Sequence, residues 1–237
     1  MTIPTSEFRR AIAVAPRASF VWRARDLSLN ALTGQVGTLV RAATGTSLDS
    51  YAVSLTTVRD RPRWHITSSL GAIKLMSIEY MSWPMPLIPM AMSGLIDFIE
   101  DGSLSASLDI MSITNVAAGN ASLRVNSSGS FYRVVHNNNV SSVTSTLAAA
   151  PTAGQRVRLR WLILSTGSVQ IFQSINLAAE TTATASATLA LASTWAATTT
   201  LFLNGFGATV LGTQINIGVV VMPGNQTQAT LLQALGY

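Results

Sequence analysis

Side-chain catalysis needs a nucleophile, a base or a metal, and few residues in this chain can provide one. Cysteine is absent, and His65 and His136 are the only imidazoles among 237 residues. Thiolate nucleophiles and thiolate zinc sites are thereby excluded, and two histidines supply too few ligands for a metal centre. A Ser-His-acid triad would have to enlist one of the pair. No Gly-x-Ser-x-Gly elbow presents a serine for it, so both histidines are read as structural or surface residues. The carboxylates are as limiting. Nine of the ten lie at or before Asp109, which leaves Glu180 alone in the last 128 residues and gives the C-terminal half no carboxylate pair to flank a glycosidic bond. Asp97, Glu100 and Asp101 form the densest acidic group. They lack the spaced oxygen ligands of a calcium loop and read as a solvent-exposed turn between two strands, with Gly102 at positive φ. The expectation is a protein that is not an enzyme and holds no metal or cofactor.

Binding chemistry is better represented. Fourteen of the fifteen basic residues are arginine, the net charge is +5, and the isoelectric point is near 10.4. No lysine run or clustered basic helix accompanies them, which argues against direct nucleic-acid binding. Arginine's planar fork pairs with carboxylates and stacks on rings, and it is enriched at protein interfaces where lysine is depleted. Nine of the arginines lie between Arg9 and Arg63. Arg9, Arg10, Arg17, Arg23 and Arg25 are therefore the candidates to pair with an acidic partner surface, with Trp22 and Trp64 as apolar anchors. Trp161 is expected in the core; exposed tryptophans such as Trp64 and Trp83 would alternatively stack on a sugar. The sequons at Asn120, Asn126, Asn139 and Asn225 follow from an Asn/Ser/Thr-rich composition and are assigned no function. Met76, Met81, Met85, Met90 and Met92 are expected to fill irregular core or subunit contacts.

The elements that must position these residues are mostly strands. With 48% hydrophobic and 11% charged residues, the chain can bury a substantial core. Its mean hydropathy of +0.38 raises the question of a membrane span. The most apolar stretch, 83–99, is interrupted by Pro84, Pro86, Pro89, Gly94 and Asp97 and does not read as a spanning helix. Early charges and Pro16 argue against a secretory signal. Residues 1–69 read as an Arg-rich docking arm carrying an extended hairpin, with segments 37–41 and 48–58 around the turn at Ala43–Thr46. Residues 70–237 read as an all-β domain of short strands. Its clearest strand is Arg156–Leu164, where Val157, Leu159, Trp161 and Ile163 face one way and Arg156, Arg158 and Arg160 the other. Ser168–Ile175 returns after a turn at Thr166-Gly167. Further strands are expected at 105–113, 121–125, 130–135, 199–206 and 214–221, and a weak one within 178–200. One short helix closes the chain, capped by Asn225, with Ala229, Leu231, Leu232 and Leu235 on its apolar face before Gly236.

That order of features resembles a known architecture. Val157–Leu164, Val169–Ile175, Leu201-Phe-Leu-Asn-Gly205, Ile215–Val221 and the helical segment after Pro223 resemble the end of a concanavalin A-like or laminin-G-like jelly roll. Gly37-Thr-Leu-Val-Arg-Ala-Ala-Thr-Gly-Thr-Ser-Leu-Asp-Ser50, Arg61-Pro-Arg-Trp64 and Gly71-Ala-Ile-Lys-Leu75 look like a segment of tailed-bacteriophage virion proteins that leads into such a domain. The resemblance implies an all-β jelly-roll sandwich preceded by the hairpin arm. It also implies a non-enzymatic structural protein of the virion, assembled in the host cytoplasm: a capsid decoration or head-associated protein. Its partner would be the major capsid or tail lattice protein, and it would form a homo-oligomer, with a trimer favoured. The alternative is a carbohydrate-binding tail or head-fibre module that attaches to host surface glycans.

Overall fold

The computed structural model describes residues 20–24, 39–44, 48–52, 63–67, 70–75, 81–84, 91–101, 109–114, 122–128, 131–137, 142–147, 151–182, 199–204 and 214–237. These residues build two antiparallel sheets and one short helix, an all-β jelly-roll sandwich. The larger sheet holds β1 (Phe20–Arg23), β2 (Leu39–Thr44), β3 (Leu48–Ala52), β4 (Arg63–Thr67), β5 (Leu70–Leu75), β7 (Met92–Ile99), β12 (Arg156–Ile163), β13 (Val169–Ile175), β14 (Thr181–Thr182) and β16 (Gln214–Pro223). The smaller holds β6 (Met81–Pro84), β8 (Asp109–Thr114), β9 (Ser122–Ser128), β10 (Phe131–Asn137), β11 (Ser142–Thr146) and β15 (Thr200–Leu203). Its strand order is β11-β10-β9-β8-β15-β6.

Strand β16 organises the larger sheet. One edge runs along β7; the other pairs with β5 through Gln214–Asn216 and with β1 from Gly218 to Val221. The main path is β14-β13-β12-β7-β16-β1-β2-β3. The hairpin expected near the N-terminus is present as β2 and β3, with Ala43 opposite Leu48, and it adjoins the sheet through β1. A bulge between Asn216 and Gly218 resets the register of β16 against β7, so Ile215 and Ile217 join one cluster with Ala72 and Ile99.

Period-two alternation explains the core. Val157, Leu159, Trp161 and Ile163 of β12 meet Met92, Ile96 and Phe98 of β7 and Val219 and Val221 of β16; the other sheet contributes Met111, Ile113, Leu123, Val125, Tyr132, Val134, Leu201 and Leu203. Trp161 lies in the core, as its alternation predicts. Its indole rests on Gly94 directly across the ladder, where a Cβ would stand 2.3 Å from the ring. Glycine at 94 therefore makes room for the tryptophan.

The helix, α1 (Gln228–Ala234), covers the outer face of the larger sheet. Leu231, Ala234 and Leu235 pack on Val21, Leu95, Val220 and Met222, which gives that sheet a second apolar layer. Thr227, not Asn225, is the N-cap: its hydroxyl accepts the Thr230 amide at 3.2 Å. At the other end Gly236, at φ 79°, donates to Gln233, and Tyr237 donates back to Leu232. Among the described residues no helix is long and apolar enough to cross a membrane.

The solvent-exposed turn expected over 97–102 does not begin at Asp97. Asp97 belongs to β7 and is fully buried; the strand continues to Ile99, and Glu100 is buried as well. Gly102 lies outside the described residues. Strand β7 escapes the alternation rule because α1 buries part of its second face, so its sequence is nearly continuously apolar.

Candidate functional site

Alternation turns Arg156, Arg158 and Arg160 of β12 onto the outer face of the larger sheet, as their spacing predicts. They form a ladder whose partners come from three other parts of the chain. Asp97, opposite Arg158 on β7, accepts the Nε and Nη2 of Arg156 at 2.8 and 2.5 Å and the Nε of Arg158 at 3.1 Å. Arg160 grips Glu180 through Nε and Nη2, reaches the Gln226 carbonyl at 3.4 Å, and lies 3.8 Å over the Phe172 ring. Desolvation alone would lower the pKa of Arg156; the hydrogen bonds and charge of Asp97 outweigh it and hold the guanidinium above its ordinary value. Two carboxylates pair with the three guanidiniums, where the sequence suggested a plain cationic face.

Tyr237 closes the ladder at one end. Its ring centroid is 4.9 Å from the Arg158 guanidinium carbon and 5.2 Å from that of Arg156. The residue is 46% exposed, while its hydroxyl is drawn to the buried Asp97. Burial of that hydroxyl and the nearby carboxylate push its pKa up to about 12.

Two further carboxylates, Asp109 and Glu100, are also engaged. Asp109 takes a two-point contact from Arg124, with Nε to Oδ1 at 2.9 Å and Nη2 to Oδ2 at 2.6 Å; Asn126 links this pair to Arg133. Glu100 accepts the buried Tyr132 hydroxyl, whose pKa is raised well above its usual range by burial and then by the Glu100 charge. His136 is buried in the sandwich with Nδ1 3.2 Å from the Ser122 carbonyl, and desolvation lowers its pKa. His65 lies on β4 opposite Ala72, so the two histidines belong to different sheets.

The residues expected to bind a partner are not gathered into this site. Trp22, expected as an apolar anchor, is 1% exposed and packs the core, because β1 turns Phe20 and Trp22 inward together. Arg23 pairs by its backbone with Gly218, and Trp64 with Ile73. Arg9, Arg10, Arg17 and Arg25 lie outside the described residues. Sequence reasoning missed Asp97, Glu180 and Tyr237 as members of the ladder. The available signal was a lone aspartate in an apolar run, since a charge there must find an opposite charge to be buried.

No family model and no curated protein matches the sequence. Solved structures share its fold. The chain is similar to the binding domain of Paraclostridial Mosquitocidal Protein 1 (8% identity, TM-score 0.56, 90% of this chain and 52% of that one). It is also similar to the LG1-3 region of the laminin α2 chain (12% identity, TM-score 0.52, 78% and 36%). A third likeness is to the enzymatically active domain of bacteriophage CBA120 tailspike protein 2 (13% identity, TM-score 0.51, 74% and 29%). The class defined is thus a laminin-G-like jelly-roll sandwich, and the chain spans only about a third to a half of the length of these proteins.

Proposed function

We propose that this chain is a non-enzymatic structural protein of a phage particle. It is a capsid decoration or head-associated sandwich that binds the major capsid or tail lattice protein through the arginines of its first 69 residues and assembles as a trimer. The observation that carries the non-enzymatic part is the commitment of Asp97, Glu100, Asp109 and Glu180 to structural partners. A hydrolase of glycans keeps two carboxylates about 5 to 9 Å apart and free to handle protons and the reacting carbon. The virion part is supported by the segments 37–50, 61–64 and 71–75, which resemble a segment of tailed-bacteriophage virion proteins that leads into a jelly roll. Mass spectrometry and electron microscopy of intact particles test it: the expected result is repeated copies on a symmetric shell. A chain absent from purified particles rejects it.

A second reading is favoured by the breadth of the likeness to a toxin's binding domain, which covers 90% of this chain. In it the sandwich attaches a particle to host surface glycans. A glycan array separates the two, because lattice docking alone predicts no saccharide signal.

A further inference from the structure

Among the described side chains, the arginine ladder sets three guanidiniums against two carboxylates. Arg160 and Glu180 cancel, but Arg156 and Arg158 share the single carboxylate of Asp97. Arg156 commits Nε and Nη2 to that carboxylate, whereas Arg158 commits only Nε. Neither terminal nitrogen of Arg158 has a protein acceptor among the described residues, and the side chain is 11% exposed. The guanidinium is therefore anchored at its inner nitrogen and leaves its two terminal nitrogens uncommitted. Beside it the Tyr237 ring lies over the two guanidiniums, and the residue is 46% exposed. Strand β13 borders the pair on the other flank: Ser174 stands opposite Arg158, its hydroxyl donating to the Ala178 carbonyl, and the Asn176 side chain accepts the Arg156 amide.

We propose that Arg158 and Tyr237 form a binding site for a carboxylate-bearing sugar, a hexuronic acid within an acidic polysaccharide. The two terminal nitrogens of the guanidinium take the carboxylate by two parallel hydrogen bonds. The one guanidinium in excess among the described side chains matches one carboxylate, and a dianionic phosphate would overshoot it. The half-exposed ring of Tyr237 takes the apolar C–H face of the sugar ring, a contact an acidic peptide side chain does not reproduce. Preorganisation by Asp97 removes most of the entropy cost of fixing the arginine. The site rests on the glycan-binding reading and is independent of how the arm docks.

The test is calorimetric titration of the full chain with a hexuronic-acid oligosaccharide, a neutral hexose oligosaccharide of equal length, and oligoglutamate. The expected result is binding of the uronate oligomer at least about tenfold tighter than either competitor, weakening as salt is raised. Arg158→Gln should lose about tenfold or more, and Tyr237→Ala about threefold to tenfold, with the thermal unfolding of each recorded as a folding control. Tyr237 is half-exposed, so its variant keeps the test decisive if Arg158→Gln unfolds. Equal affinity for oligoglutamate, or uronate binding unchanged in Tyr237→Ala, overturns the site. Neutral-sugar binding that ignores both variants rejects the site and keeps the glycan reading; failure of every saccharide to bind rejects both.

Discussion

Asp97 has no exposed surface and accepts from two guanidiniums, so at the residue scale it is the most consequential charge described. Removing one partner of a buried pair leaves the other charge desolvated and uncompensated. Asp97→Asn is expected to lower stability by about 3–5 kcal/mol in denaturant unfolding. A change below about 1 kcal/mol would mean that water already solvates the pair. His136 sets a pH dependence. Its folded-state pKa lies below the ordinary 6.5 because burial disfavours the imidazolium. The unfolded chain therefore takes up a proton at a pH where the folded chain does not. The contribution is intact above pH 6.5 and is lost as pH falls below it, with a slope of up to about 1.4 kcal/mol per pH unit. Midpoints measured from pH 8 downward should fall through this window, and His136→Gln should flatten that part of the curve.

At the scale of elements, β7 and β12 are fitted to each other at one point. A Cβ on Gly94 would meet two ring carbons of Trp161 and the Val220 carbonyl at 2.9 Å or less, and neither a core indole nor a strand carbonyl can move aside cheaply. Gly94→Ala should cost about 1–3 kcal/mol or more, read as a fall in the unfolding midpoint. A neutral result would place the indole elsewhere. The helix depends on its ends. Thr227→Ala removes the cap and should cost about 1 kcal/mol. Gly236 holds a left-handed conformation that lets Tyr237 fold back over the arginines. Gly236→Ala should cost about 1 kcal/mol and disturb the placement of that ring, seen as altered tyrosine fluorescence.

For the whole molecule, the first 69 residues and the sandwich share structure. Strand β1 is laddered to β16, and Phe20 and Trp22 are part of the core. A truncation of residues 1–69 would therefore remove two large buried aromatics, each worth about 3–5 kcal/mol on truncation to alanine, and the remainder should unfold or aggregate. Substituting Arg9, Arg10 and Arg17 with alanine isolates the docking question. The expected outcome is an unchanged unfolding midpoint with loss of particle attachment, measured by co-sedimentation. Retained attachment would remove those arginines from the interface.

Much of the fold was legible because strands announce themselves by period. The alternation of Arg156 to Ile163 gave both faces of β12, the inward Trp161 and the outward arginines. Turn chemistry at Thr166-Gly167 gave the hairpin with β13, with Gly167 at φ 86°. Strand β7 was not legible, since a strand covered on both faces loses its period, and its one aspartate looked like part of a turn. Trp22 looked like an anchor because four residues of β1 are too few to declare a face. Alone, the sequence determined much of the strand content, the inward positions of β12, the C-terminal helix and the poverty of catalytic groups, all of which are local or compositional. Which carboxylate meets which arginine was decided by the tertiary structure alone. Asp97 and Arg158 are 61 residues apart, and only the antiparallel register of β7 and β12 sets them opposite.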